Sequence, residues 1–343
     1  MSILVTGGAG YIGSHTVKAL KHENLRPIVL DNFVNGHEYI VRDILKVPYI
    51  CGNVGDKDLI FELLNGQNEL TRLDPITGII HFAAYTSVRE SCDNPLLFYK
   101  NNYIQTLNLL DEVIKKNKEN NSNISIVFSS TCATYGIPKK IPIDESTKQQ
   151  PINPYGWSKL YVEQALKDFG RAYGLPSVIF RYFNAAGADN SGIIGEDHNP
   201  ETHLIPLIIK SILNPLKPLN IYGSDYSTPD GTCIRDYIHV TDLAEAHILG
   251  LKKLLNQKKL ESTSPHIYNL GNGKGYSILE VIKAAEKISE KKIKTIFGNK
   301  RDGDATILIA SYEKAKIELG WNPKVSSLEE IVSDAFNWHS KNS

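Results

Sequence analysis

Through the first half of the chain, short apolar runs alternate with longer stretches in which apolar residues recur every three or four positions. Residues 3–6, 27–30, 48–51, 78–83, 124–129 and 177–182 read as strands, and 12–21, 57–64, 95–116 and 155–173 as helices. Near-continuous apolar strands separated by amphipathic helices are the pattern of parallel βαβ units covered on both faces, so an α/β fold with a doubly wound parallel sheet is expected. After about residue 184 the regularity gives way to a region rich in Gly, Pro and Asp, with isolated helical stretches at 204–213, 240–255 and 278–289. A second, smaller mixed α/β domain is expected there: 1–184 and 185–343, with an interleaved boundary.

Composition narrows the function. Lys plus Arg equals Asp plus Glu at 38 each in 343 residues, which argues against a nucleic acid or an anionic membrane as the main partner. Cys51, Cys92, Cys132 and Cys233 are far apart with no CxxC pair, the usage of reduced thiols in a cytoplasmic protein. The apolar run at the start is too short for a signal-peptide core, and no segment approaches a membrane span. A soluble cytoplasmic protein is the expectation.

The first candidate site follows the first strand. Thr6-Gly7-Gly8-Ala9-Gly10-Tyr11-Ile12-Gly13 opens the first helix with glycines in G-x-x-G-x-x-G spacing. Such a turn lets backbone approach a pyrophosphate and offers it free N–H groups at a helix N-terminus; it can also simply join strand to helix. Asp31, at the end of the second strand, favours the first reading. A carboxylate there accepts from both ribose hydroxyls of an adenosine and repels a 2′-phosphate, which selects NAD over NADP, although a turn-capping aspartate would look the same. The fold expected is therefore of the Rossmann type.

The second candidate site is Tyr155-Gly-Trp-Ser-Lys159, a Tyr-x-x-x-Lys that puts phenol and ammonium one turn apart on one helix face. Tyr135-Lys139 and Tyr312-Lys316 match the same pattern. The first contains Gly and Pro and reads as a turn; the second reads as a surface helix far from the nucleotide half. Only Tyr155 opens the helix after the fifth strand, whose end carries Ser129-Ser130-Thr131 where open α/β sheets bind ligands. A phenol with an ordinary pKa of about 10 needs a neighbouring positive charge to act as a base at neutral pH, and Lys159 supplies one.

Together with His81-Phe82-Ala83-Ala84, Arg181 to Gly187, Gly195-Glu196-Asp197, Asp230 to Leu243 and Tyr268 to Gly271, these residues resemble the extended short-chain dehydrogenase/reductase superfamily. Within it, the chain is similar over essentially its whole length to the 4-epimerases of UDP-hexoses. The resemblance implies reversible C4 epimerisation of UDP-glucose and UDP-galactose through a 4-keto sugar, with tightly held NAD. It implies Tyr155, Lys159 and Thr131 as the catalytic residues. Cofactor contacts are implied at Gly7, Gly10, Tyr11, Ile12, Gly13, Asp31, Asn32, Asn35, Asn53, Val54, Phe82, Ala83, Asn101, Tyr155, Lys159 and Phe183. UDP-sugar contacts are implied at Thr131, Asn184, His203, Leu204, Tyr222, Arg235, Arg301, Asp304 and Leu308, the last as a wall of the hexose pocket. For Arg235 a structural salt bridge is the competing reading. The sequence departs from the family pattern at Asn53, where an aspartate usually meets the adenine, at Thr86, where a lysine often follows the His-Phe-Ala segment, and at His203, where an asparagine is common.

Two rival functions remain. A nucleotide-sugar 4,6-dehydratase starts with the same oxidation, but in that related family an Asp-Glu pair follows the serine or threonine; here Cys132-Ala133 follow Thr131. A non-catalytic NAD-binding module on the same fold is the other. No metal is expected: Glu196 to His203 gathers carboxylates and histidines, but Pro200 breaks a helix, there is no HExxH or regular helical i, i+4 ligand pair, and the hydride chemistry needs no metal. A homodimer through the 95–116 and 155–173 helices is implied by the resemblance.

Overall fold

A computed structural model describes residues 1–119, 122–257, 264–300 and 304–342. In chain order the elements are β1 (Ser2–Thr6), α1 (Tyr11–His22), β2 (Arg26–Asp31), β3 (Tyr49–Cys51), α2 (Lys57–Leu64), β4 (Ile76–His81), α3 (Val88–Asp93), α4 (Pro95–Phe98), α5 (Gln105–Glu119), β5 (Ser125–Thr131), α6 (Pro154–Tyr173) and β6 (Ser177–Tyr182). There follow β7 (Asn184–Ala186), α7 (Leu204–Leu213), β8 (Leu219–Tyr222), β9 (Ile234–His239), α8 (Val240–Asn256), β10 (His266–Leu270), β11 (Gly275–Ser277), α9 (Ile278–Ser289), β12 (Thr295–Gly298), β13 (Ile307–Leu308), α10 (Glu313–Leu319) and α11 (Leu328–Lys341). Among the described residues no helix is long and apolar enough to cross a membrane.

The elements form two compact units, each assembled from three stretches of chain. The first comprises Met1–Thr134, Pro151–Arg181 and Ala244–Tyr268; the second comprises Tyr135–Gln150, Tyr182–Leu243 and Asn269–Ser343. The two units interleave along the chain: residues 135–150 group with the second unit, and α8 from Ala244 onward groups with the first.

A seven-stranded sheet in the order β10-β6-β5-β4-β1-β2-β3 organises the first unit. The chain winds outward from β1 to β3, then restarts at β4 on the other side of β1, so β1 and β4 flank a topological switch point. Every residue of β1 is buried, as expected for a strand covered on both faces. One core under this sheet is built from β-strand residues such as Leu4, Ile28, Ile79, Ile126 and Ile179, packed against Leu63, Leu109, Val113, Val162 and Leu166 of the helices. The helix expected over 95–116 is instead three pieces: α4, a π-helical stretch Tyr99–Ile104, and α5. For α6, the Asn153 side chain accepts from Gly156 N at 2.8 Å, Pro154 stands in the first turn, and Gly174 ends the helix at φ 68°.

Short strands make up the second unit. β9 pairs antiparallel with β11, and in parallel with β13 (Leu308 opposite Arg235) and with β7 (Asn184 opposite Tyr237). β8 and β12 form a separate parallel pair. Its core joins Ile205, Ile208 and Ile209 of α7 to Val281 and Ile282 of α9 and Ile331 and Val332 of α11.

Candidate active site

The glycine turn is shaped by close approach. Gly7 has φ +72°, and a Cβ there would lie 2.6 Å from Ala83 N; a Cβ on Gly13 would lie 2.2 Å from the Gly7 carbonyl oxygen. Only hydrogen fits at either place. Gly10 occupies the N-cap of α1 without any side-chain cap, and Tyr11, Ile12 and Gly13 form the first turn behind it, the end at which a helix presents N–H groups to an anion. Phe82 N and Ala83 N both donate to Thr6 O, tying the end of β4 to that of β1 at the switch point. Asp31 is buried; its Oδ2 accepts from Ala9 N at 3.0 Å and its Oδ1 from Phe33 N at 2.9 Å. Burial pushes its pKa up, and those two backbone donors pull it back. The Asn32 amide donates to Asn53 Oδ1 at 2.8 Å, Asn35 lies in the same loop, and Val54 is buried in the core. Asn101 lies in the π-helical stretch and donates to Asn102 Oδ1 at 3.1 Å. All the cofactor residues the sequence suggested lie in the first unit except Phe183, which belongs to the second unit and donates its N–H to Leu270 O.

Tyr155 and Lys159 stand on one face of α6, both buried. Lys159 Nζ donates to Ser129 O at 2.9 Å and lies 5.0 Å from the Phe128 ring centroid. Burial pulls this ammonium down from 10.5 to about 7. Thr131 closes β5, and its Oγ1 accepts from Ala133 N at 3.1 Å in the 3-10 turn Cys132–Tyr135. The other two Tyr-x-x-x-Lys matches belong to the second unit and have packing roles: Tyr135 donates its hydroxyl to Asn269 Oδ1 at 2.7 Å, and the Tyr312 ring packs edge-on against Trp321.

Beneath this face lies machinery that the motifs did not reveal. Glu163, one turn beyond Lys159, accepts from Ser130 Oγ at 2.5 Å and from Arg181 Nη2 at 2.6 Å, with both charged side chains at 2% exposure or less. The spacing 155, 159, 163 is the signal that could have found it. Asn102 pairs with both backbone groups of Tyr85 and donates to Ser158 Oγ, which in turn donates to Tyr155 O. His81 bridges Thr6 Oγ1 and Thr106 Oγ1 at 2.6 and 2.8 Å. Because Thr106 gives its proton to Asn102 O, His81 Nε2 is the donor and Nδ1 the acceptor, a neutral ring. Burial, with the Lys159 charge, pulls its pKa down to about 3, in keeping with that tautomer.

In the second unit, Arg235 Nη2 is ion-paired to Asp304 Oδ1, and its Nη1 donates to Ile234 O at 2.9 Å. Two residues expected to contact the UDP-sugar thus pair with each other. Leu308 is half-buried and in register with Arg235; Tyr222 ends β8, Asn184 starts β7, and Leu204 starts α7. Arg301 lies outside the described residues.

The 196–203 segment differs from its sequence reading. The expectation of no ligand set rested on helix periodicity, whereas an irregular loop brings donor atoms of Glu196, His198, Glu201 and His203 within 4.8 Å of one another. The Glu196 charge raises the His203 pKa; burial pushes Glu196 up, and the His203 charge more than reverses it.

The profile of the family described as GDP-mannose 4,6 dehydratase matches residues 4–335. The UDP-glucose 4-epimerase of Rhizobium meliloti (strain 1021) is 46% identical over 341 residues, which cover 99% of this chain and 97% of that one. The crystal structure of UDP-glucose 4-epimerase from Brucella ovis in complex with NAD matches with a TM-score of 0.89 at 40% identity, covering 98% of each chain. That of the Bifidobacterium longum enzyme in complex with NAD+ and UDP matches with a TM-score of 0.88 at 38% identity, covering 100% of this chain and 99% of that one.

Proposed function

Since the chain belongs to the UDP-glucose 4-epimerases of the extended short-chain dehydrogenase/reductase family, we propose that it interconverts UDP-glucose and UDP-galactose with NAD as a resident cofactor. The observation that carries the reading is the buried Lys159 ammonium, one turn from Tyr155 and bonded to Ser129 O, in the same unit as a glycine cradle that a Cβ would fill. The cradle and the uncapped N-terminus of α1 fit a pyrophosphate, and Asp31, with Asn32, Asn35 and Asn53 nearby in sequence or contact, fits the adenosine half. Phe82, Ala83, Asn101, Tyr155, Lys159 and Phe183 would complete the cofactor's contacts.

Inverting C4 by deprotonation is impractical because that C–H is not next to a carbonyl, so oxidation to a ketone is the sensible route. When bound, NAD would supply the oxidising power for this, as the acceptor of the C4 hydride and its donor to the other face. Tyr155 takes the O4 proton and later gives it back. Lys159 favours the phenolate by its charge, and Thr131 holds the reacting oxygen. Between the two transfers the keto sugar turns about its phosphate linkage. Binding energy must therefore rest on UDP, through Asn184, His203, Leu204, Tyr222, Arg235, Arg301 and Asp304, with the hexose held loosely beside Leu308. Arginine suits this task because its fork gives two parallel hydrogen bonds, and Arg235 would exchange part of its pairing with Asp304 for phosphate oxygens. A 4,6-dehydratase would need an acid pair where Cys132-Ala133 form the 3-10 turn.

The first unit is read as the NAD-binding domain and the second as the UDP-sugar domain. A homodimer fits the aromatic cluster in which the rings of Tyr99, Tyr103 and Trp157 lie 5.5–6.0 Å from that of Tyr161, with Leu96 and Ile104 exposed nearby in sequence. The exposed thiols Cys51 and Cys92 fit a cytoplasmic setting. The deciding experiment gives the purified protein UDP-galactose with no added NAD and follows UDP-glucose. Conversion is expected, with NAD recovered from the denatured protein; absence of turnover with NAD supplied would overturn the reading.

A further inference from the structure

We propose that Glu196, His198, Glu201 and His203 form a binding site for a zinc-class divalent cation, apart from Tyr155, Lys159 and Thr131 but sharing His203 with the residues read as holding UDP. The four donors span eight residues of one loop that runs into α7. A tetrahedral ion with bonds of about 2.1 Å to imidazole nitrogen and carboxylate oxygen sets its ligand atoms about 3.4 Å apart. Here His198 Nδ1 is 3.3 Å from Glu196 Oε1, and His198 Nδ1 and His203 Nδ1 are each 4.0 Å from Glu201 Oε1. The His203 Nδ1 to Glu196 Oε1 contact is closer than that spacing, so these two alone must draw apart to admit the ion.

Two further features separate this loop from an ordinary surface ion pair. Glu201, with its side chain only 3% exposed, accepts Thr202 N and His203 N on Oε1 and leaves the buried Oε2 without a hydrogen-bond partner. A buried carboxylate oxygen normally finds a donor, and this one belongs to a carboxylate whose other oxygen stands 4.0 Å from both imidazoles, so the group keeps acceptor capacity for a cation. Glu196 is 4% exposed, and among the described residues neither carboxylate is ion-paired with a lysine or arginine. Two carboxylates and two imidazoles match the hard-to-borderline preference of Zn²⁺, and four protein donors make the site structural, with no place for a reacting water. Its effect would be to clamp this loop to the first residue before α7, stiffening the second unit.

The test uses tag-free, full-length protein freed of metal by a chelator and titrated with Zn²⁺ alone. Calorimetry is expected to saturate at one ion per chain, and Co²⁺ in its place should give the intense visible bands of a tetrahedral site. X-ray absorption of the zinc-loaded wild type should show nitrogen and oxygen ligands including imidazole. His198→Gln and Glu201→Gln should each weaken Zn²⁺ binding at least ~10-fold, the scale on which disturbing a metal's ligand environment acts. A failure to bind zinc saturably, a sulfur-containing shell, or unchanged binding in well-folded His198→Gln or Glu201→Gln would overturn the proposal. The wild-type absorption spectrum decides the matter even if the variants do not fold. None of these readouts depends on epimerase activity.

Discussion

Replacing Lys159 by methionine should abolish turnover while making the cofactor-free protein more stable near neutral pH. The ammonium is 4% exposed, and its pKa falls from 10.5 to about 7 because burial removes its hydration. A basic group with a depressed folded-state pKa contributes full stability only above its unfolded value, here 10.5, and loses it as pH falls toward 7. At about 1.4 kcal/mol per tenfold change in proton affinity, holding Lys159 costs about 4 kcal/mol at pH 7 and about 2 kcal/mol at pH 9. The hydrogen bond to Ser129 O favours the charged form, so these are upper limits. Methionine fills much the same space without charge, but takes the donor from that carbonyl, at a cost of about 1–3 kcal/mol. The net gain in the variant is then at most a few kcal/mol at pH 7. The gap between variant and wild type should narrow by about 2 kcal/mol between pH 7 and pH 9, because the unpaired carbonyl does not titrate. Denaturation of NAD-free wild type and Lys159→Met at both pH values measures this. A gap that stays constant with pH would show that Lys159 does not carry the burial penalty, and the reasoning would fail.

Tyr155→Phe should lower kcat by ~10²–10⁴-fold with little change in UDP affinity, while Tyr135→Phe and Tyr312→Phe do far less; near-normal turnover of Tyr155→Phe would show that the wrong pattern match was chosen. Glu163→Gln removes the carboxylate charge bonded to the buried Arg181 guanidinium and should destabilise the protein by about 3–5 kcal/mol in thermal unfolding, against well under ~1 kcal/mol if water reaches the pair. Leu308→Ser and Leu308→Tyr should move the kcat/KM ratio for N-acetylated over plain UDP-hexoses in opposite directions by ~10-fold, since Leu308 stands in register with Arg235; an unchanged ratio in both variants would remove it from the hexose pocket wall.

What could be read in advance followed the length of each regular element. β1 and β4 at the switch point are five and six residues long and buried at every position but Thr77, and the helices at 57–64, 204–213 and 278–289 repeat their apolar positions for two turns or more, so the helix extents agree with the expected ones. β7, β11 and β13 have three, three and two residues, too few for any period, and they are fixed by pairing with β9. The break at Tyr99–Ile104 escaped for a different reason: a π turn changes the hydrogen-bond step without a residue signature, yet it sets Asn101 and Asn102 where their side chains bond to each other and to the Tyr85 loop. The site shows the same division. Tyr155, Lys159 and the glycine turn were legible because local geometry alone makes them neighbours, whereas the Glu163–Arg181 pair under Ser130 joins a helix to the strand that follows it. The 196–203 loop marks where this way of reading stops. Helical spacing is a test of helices, and Pro200 excluded only that arrangement; four donors can also converge on an irregular backbone, where sequence spacing places no limit on which side chains meet.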